Sequence, residues 1–227
     1  MSDIFKEVDE DIRREQLRKL WNRFAPYVIG VAVLIVAGTA GYRGWEYWQE
    51  RQAQTTGDRF IEAVQLSVDG QPEAAIAALE TIVADGSGGY PALAGFRIAA
   101  EKATAGDPDG AVAAYDAIAA RGGTPEEIRT LARLRAAMIA VDIGSFDDLK
   151  ARIGDLATTG NPWRHTAREL LGLSAFRAGD YGTAAAYFDE IANDQESPED
   201  LKQRGQLIMT LINARPPGAA GGGNTEG

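Results

Sequence analysis

The chain has no cysteine and a single histidine, His165, in 227 residues. Disulfides, thiolate zinc sites, iron–sulfur ligation and thiol catalysis are thereby excluded. A histidine-rich metal site is excluded too, and a nucleophile–histidine–carboxylate triad would have to use His165. Basic residues are in deficit: 23 Lys and Arg stand against 33 Asp and Glu, a formal charge of −10. Nucleic-acid binding through a general basic field is not expected. Strand signals are weak, with no long alternation of β-branched residues. The usual phosphate loop, GxxxxGK[ST], is missing. Hydrophobic residues make up 45% and charged residues 25%, which excludes whole-chain disorder and leaves room for one or two domains.

One segment does not suit a soluble core. Arg23 and Arg43 bracket the 19 uncharged residues Phe24–Tyr42, FAPYVIGVAVLIVAGTAGY. A bilayer core of about 30 Å needs about 20 helical residues at about 1.5 Å each, so the run is just long enough. Trp21, Phe24 and Tyr27 stand at one end and Tyr42, Trp45, Tyr47 and Trp48 at the other, as amphipathic rings do at both interfaces. A cleaved signal peptide fits less well, because 23 residues carrying six acids precede the run. The expected organisation is a cytoplasmic tail over 1–23, a single transmembrane helix over 24–45 and a juxtamembrane helix or linker over 46–56. Six basic residues precede the span (Lys6, Arg13, Arg14, Arg18, Lys19, Arg23), and three follow within about 20 residues (Arg43, Arg51, Arg59). That bias puts the N-terminus in the cytoplasm and the bulk outside, which is the periplasm if the membrane is a bacterial inner membrane. The lack of cysteine fits an oxidising compartment. In the tail, Phe5, Val8, Ile12 and Leu20 fall near one helical face. An interfacial or docking helix and a plain extension of the span both remain open.

The bulk is repetitive. Gly70, Gly106, Gly144 and Gly179 each close one amphipathic segment and precede another, at separations near the 34-residue period of a known helix-pair repeat. Five residues after each glycine stand Ala75, Ala111, Leu149 and Ala184. Four further on come Leu79, Tyr115, Ile153 and Phe188, then after three more Ile82, Ile118, Leu156 and Ile191. These steps keep the residues on one helical face. Small residues at Ala63, Ala99, Ala137 and Gly172 allow the paired helices to approach closely. Glycine between helices predicts a left-handed turn. Pro91, Pro125, Pro162 and Pro198 predict helix starts. The pattern resembles the tetratricopeptide repeat over about residues 57–194. The predicted fold is all-α: a transmembrane helix, then an α-solenoid of about four degenerate helix pairs within a domain over 57–214. A last helix, Ser197–Ala214, caps the array, with Ser197 as its N-cap. The tail 215–227 has seven Gly or Pro in 13 residues and predicts disorder.

Catalytic signals are not found. DPDG at 107–110 lacks the later ligands of a calcium loop. Asp147–Asp148 and Glu126–Glu127 read as acids in first helical turns, where the helix dipole favours them. His165 reads as a surface or groove residue. No enzyme activity, metal, cofactor or small-molecule substrate is expected. Stacked helix pairs create an extended face for peptides or partner helices. Candidate groove residues on first helices are Arg97, Arg129, Arg133, Arg164, His165 and Arg168, since arginine can fork carboxylates.

The whole arrangement carries a second resemblance. The opening SDIFKEVDEDIRREQLRKLWNRFAPYVIG, the span, WEYWQERQ and the degenerate repeats resemble the YfgM-like ancillary subunit family of the SecYEG translocon, in an alphaproteobacterial form. That resemblance implies an inner-membrane protein beside the SecYEG channel. It implies work with the membrane-anchored prolyl isomerase PpiD, as a scaffold or chaperone-like subunit receiving chains that emerge into the periplasm. No functional residues carry over from it. A scaffold for envelope assembly or cell division is the alternative reading of the same architecture.

Overall fold

The computed structural model describes residues 3–214, with side chains from Trp21 onward apart from Asn22, Phe24, Ala25 and Val28. The amphipathic face expected in the first 20 residues and the tail expected over 215–227 lie outside the described residues. All described elements are helical: nine α-helices and one short 3₁₀ turn. The chain divides into two units between Thr55 and Thr56.

The first unit consists of α1, which runs Asp3–Val68, as far as Thr55. Pro26 lies inside this helix. Ile29, Val31, Val33, Leu34, Ile35 and Val36 are all more than half exposed. At 100° per residue these positions cover every side of the helix. Tyr42, Trp45, Tyr47 and Trp48 are exposed just beyond, with the Trp45 and Trp48 rings 5.7 Å apart and the Arg51 guanidinium 4.8 Å from the Tyr47 ring centre. Among the described residues no helix is long and apolar enough to cross a membrane. The predicted span includes Phe24, Ala25 and Val28, whose side chains are outside that description.

The second unit is a row of helix pairs. Residues 56–68 of α1 pair with α2 (Pro72–Asp85), α3 (Tyr90–Thr104) with α4 (Pro108–Ala120), α5 (Glu126–Ile143) with α6 (Phe146–Ile153), and α7 (Arg164–Arg177) with α8 (Tyr181–Asn193). Helix α9 (Glu199–Asn213) follows and packs on α8. All twelve repeat positions anticipated from the sequence are buried, and the small residues Ala63, Ala99 and Ala137 are at most 1% exposed. A Cβ on Gly172 would stand 3.0 Å from the Phe188 ring. Small first-helix residues therefore meet large second-helix residues in each pair. Burying each of the larger side chains contributes roughly 1.5–3 kcal/mol.

Three of the four turns within pairs are the same structure. The Gln71 N–H donates to Leu66 O at 2.9 Å and Gly70 N–H to Ser67 O at 3.1 Å; Asp107 with Gly106, and Asp180 with Gly179, repeat both bonds. This double closure requires a left-handed residue, and the glycines have φ of 77°, 79° and 81°. The next residue starts the following helix. Asp107 accepts from Gly110 N–H at 2.8 Å and Asp180 from Thr183 N–H at 3.0 Å.

The third pair departs from expectation. Gly144 is extended, with φ −89°, not left-handed, and its N–H donates to Ala140 O at 2.7 Å. Ser145 then takes the extended conformation of an N-cap and accepts from Asp148 N–H at 3.1 Å. Helix α6 has only eight residues, and Leu156 lies in the 3₁₀ turn Gly154–Ala157 rather than on the helix. The capping helix also starts later than expected. Pro198, not Ser197, is its N-cap, because Pro198 O accepts from Leu201 and Lys202 N–H while Ser197 N–H turns back to Asp194 O. The Ser197 hydroxyl is buried without a hydrogen-bond partner. Pro91 lies in the first turn of α3 as expected, whereas Pro125 is itself an N-cap and Pro162 precedes the N-cap Trp163.

Candidate functional site

The candidate arginines occupy two kinds of place. Four residues before each small first-helix residue stand Arg59, Gly95, Arg133 and Arg168. In three pairs this arginine reaches across to its own second helix or the turn after it. Arg59 donates to Thr81 Oγ1 and Asp85 Oδ1, both at 3.1 Å. Arg133 forks Asp155 and donates to Arg152 O. Arg168 Nε lies 2.8 Å from Glu190 Oε2, and its Nη1 donates to Asp194 Oδ2 at 3.4 Å. The second pair has Gly95, Ala117 and Arg121 where the fourth has Arg168, Glu190 and Asp194.

Three of the six candidates converge on Asp194. Arg164 Nε donates to Asp194 Oδ2 at 2.7 Å and its Nη2 to Oδ1 at 3.2 Å, and Glu196 also takes a bond from it. The Arg164 and Arg168 side chains are at most 10% exposed. His165 is buried, with Nδ1 3.8 Å from Asp194 Oδ2 and no hydrogen-bond partner. The Arg164 hydrogen bond holds the Asp194 carboxyl far below the usual carboxylate range. Burial pushes His165 below the ordinary imidazole value, and the neighbouring Arg164 adds to that. This cluster ties the start of α7 to the loop between α8 and α9. Charged groups buried in mutual bonds are held in place rather than offered to a ligand.

The other candidates are separate. Arg97 donates to Ser67 Oγ at 2.7 Å and pairs with Glu101 at 2.7 Å. Arg129 pairs with Glu126 at 3.0 Å. Both keep over a third of their side chain exposed. Among the described residues no group of acidic or histidine side chains could hold a metal ion.

Open apolar surface lies elsewhere on the first helices. Leu93 on α3 and Met138 on α5 are about half exposed, at 51% and 50%. Phe96, Leu131 and Val141 are partly buried beside them at helical spacing. A cavity of about 460 Å³ opens here, floored by Leu93, Phe96 and Ile128 and rimmed by the glycine-rich loops 86–89 and 122–123. A second cleft of about 300 Å³ lies between α2 and α4 over Gly95. Leu93 and Phe96 stand at helical spacing in the sequence, but periodicity alone does not separate their open face from the core.

Helix pairs joined by left-handed glycines, small-against-large packing and a capping helix together characterise one repeat family, and the chain matches the tetratricopeptide repeat-like domain over residues 18–211. The chain belongs to that family. The match starts ahead of the apolar run and ends in α9, so it takes in more than the 57–194 anticipated from the repeats. No curated protein and no solved structure matches the chain. Tetratricopeptide-like domains are protein-binding scaffolds and mediate protein–protein interactions. The open first-helix face of this one offers apolar contacts at Leu93 and Met138.

Proposed function

We propose that this tetratricopeptide-like protein is a non-catalytic, membrane-anchored scaffold on the periplasmic side of the Sec translocon, where it takes hold of emerging chains or partner chaperones. The observation that carries the anchor is the exposure of Ile29–Val36 on all sides of α1. A groove partner would cover one face only, whereas acyl chains cover all of them. The exposed ring of Tyr42, Trp45, Tyr47 and Trp48 suits the headgroup layer that follows. Six cationic residues ahead of the run set the N-terminus inside. The channel itself enters through the resemblance of the opening and the arrangement to the YfgM-like family, which brings SecYEG and PpiD as partners. Anchoring raises the local concentration of the binding face near the channel exit, so single contacts need not be tight. The apolar strip around Leu93 and Met138 then takes apolar segments, with Arg97, one helical turn from Leu93, as a polar contact.

The test is affinity purification of the full-length protein in mild detergent, with mass spectrometry of what accompanies it. A form lacking residues 1–45, exported by a cleavable signal, is the control. Channel subunits enriched only with the anchored form support the reading. Division or envelope-assembly proteins in their place overturn it in favour of a scaffold for those processes.

A further inference from the structure

The second helix pair lacks the internal arginine link of the other three, and the change is coordinated. Gly95 replaces the arginine, Ala117 replaces its first partner and Arg121 stands where Asp85 and Asp194 stand. Removing one long side chain alone would leave its partner carboxylate without a cation. Here both ends are gone and the charge at the far end is reversed.

The cleft of about 300 Å³ lies where that link would run. Its walls are Val83 of α2, Ile98 of α3, and Ala117 and Ile118 of α4, with Arg121 at one end. A volume near 300 Å³ is at the small end of ligand sites. Glu80 and Lys102 also line it, one charge of each sign. Arg121 Nη1 donates to Val83 O at 2.7 Å, and among the described residues no carboxylate lies within ion-pair distance of it. A guanidinium has five N–H donors, so a fork remains for an incoming carboxylate. In the other pairs an aliphatic stem fills this slot and ends in a cation facing an acid. The complement of the slot in the second pair is therefore apolar and ends in an acid.

We infer that the cleft over Gly95 is a docking site for a partner-protein segment that places a glutamate beside a large apolar side chain. The apolar side chain enters between α2 and α4, and the glutamate carboxylate meets Arg121. The inference uses the protein-binding nature of the fold and does not depend on the membrane or the channel.

The experiment uses the full-length protein in detergent and fluorescein-labelled peptides with blocked ends, so that no terminal charge takes part. The probes contain Leu-Glu-Leu, Leu-Gln-Leu or Ser-Glu-Ser between Gly-Ser flanks, and fluorescence anisotropy reads binding. Leu-Glu-Leu is expected to bind about tenfold more tightly than either of the others. A Cβ on Gly95 would come within 2.8 Å of Ile118 Cγ1, so restoring the link by Gly95→Arg with Ala117→Glu risks the fold. Ala117→Phe fills the cleft from an exposed position and is expected to abolish binding with an unchanged circular dichroism melt. Arg121→Gln is expected to erase the preference for glutamate over glutamine, and Arg121→Lys to keep part of it. Equal binding of the three peptides, binding retained by Ala117→Phe, or no saturation up to about 1 mM overturns the inference. The pull-down against channel subunits is unaffected by any of these outcomes.

Discussion

Arg168 Nε lies 2.8 Å from Glu190 Oε2, across the same gap in the fourth pair that Arg59 bridges to Asp85 in the first. The two links differ in their surroundings. Arg168 is 7% exposed, whereas Arg59 and Asp85 face water at 39% and 66%. Arg168→Ala is expected to destabilise the domain by about 2 kcal/mol, because the mostly buried Asp194 and the Ala157 carbonyl lose a donor, although Glu190 itself is 53% exposed. Arg59→Ala is expected to cost at most about 1 kcal/mol. Urea unfolding followed by circular dichroism measures both, and equal effects would contradict the packing of the fourth pair.

Acid sensitivity should arise in two steps. His165 has a folded pKa lowered by burial and by Arg164. Above the unfolded value of about 6.5 it is neutral in both states and has no effect. As pH falls below that value the unfolded chain takes the proton first, so stability declines until the lowered folded pKa is passed. Asp155, held low by Arg133, and Asp194, held low by Arg164, contribute stability above the unfolded carboxylate range. That contribution is lost as pH falls through their lowered folded values. The urea midpoint is expected to drop between pH 7 and 5 in the wild type and to stay level there in His165→Gln. Both proteins should lose stability further into acid.

The left-handed glycines give a direct test of the turns. Gly179→Ala places a Cβ on a residue at φ 81° and is expected to cost about 1 kcal/mol, although no neighbouring atom lies within 4 Å of that Cβ. Chemical denaturation of the variant checks this. A neutral result would mean that the turn relaxes away from its double closure.

Core truncation should be costlier. Ile191 has no exposed surface and packs against Phe188 and Leu201. Ile191→Ala is expected to lower stability by roughly 2–5 kcal/mol and to loosen α9 with it. Hydrogen exchange of the α9 amides in that variant reads the second effect.

Membrane attachment has its own test. The full-length protein is expected to stay in the membrane pellet after an alkaline carbonate wash. Val33→Arg with Leu34→Arg should release it, since each arginine at the centre of a span costs about 3 kcal/mol. Retention of the double variant would remove the anchor from the reading.

The helix pairs were legible because the signal is local and repeated. Leu79, Tyr115, Ile153 and Phe188 recur at one distance from a glycine, and each is buried. The arginines were harder. Arg133 and Arg168 sit at positions that look solvated on a helical wheel, and their partners Asp155 and Glu190 are 22 residues away. One signal was available, an arginine four residues before the small residue in three of four pairs. Asp194 carried no signal, because it lies in a loop and gathers its three cationic or polar neighbours only once α7 and α8 have packed. Gly144 misled because glycine permits a left-handed turn without requiring one, and Ser145 supplied another way to start α6. The open face of Leu93 and Met138 was invisible for a related reason. Periodicity marks an apolar stripe but does not say which edge of it a neighbour covers.

The three identical turns bear on how such a chain can lengthen. A joint of two residues that ends one helix and begins the next carries its geometry inside itself. A gene segment copied at that spacing brings a finished joint with it, and the new pair needs only a neighbour of the same shape. The pair closed by Gly144 and Ser145 uses another two-residue joint, an extended glycine followed by a capping serine. A copy of that pair would carry a shorter second helix ending in a 3₁₀ turn, so its neighbour would meet a different surface from the one the other three pairs present.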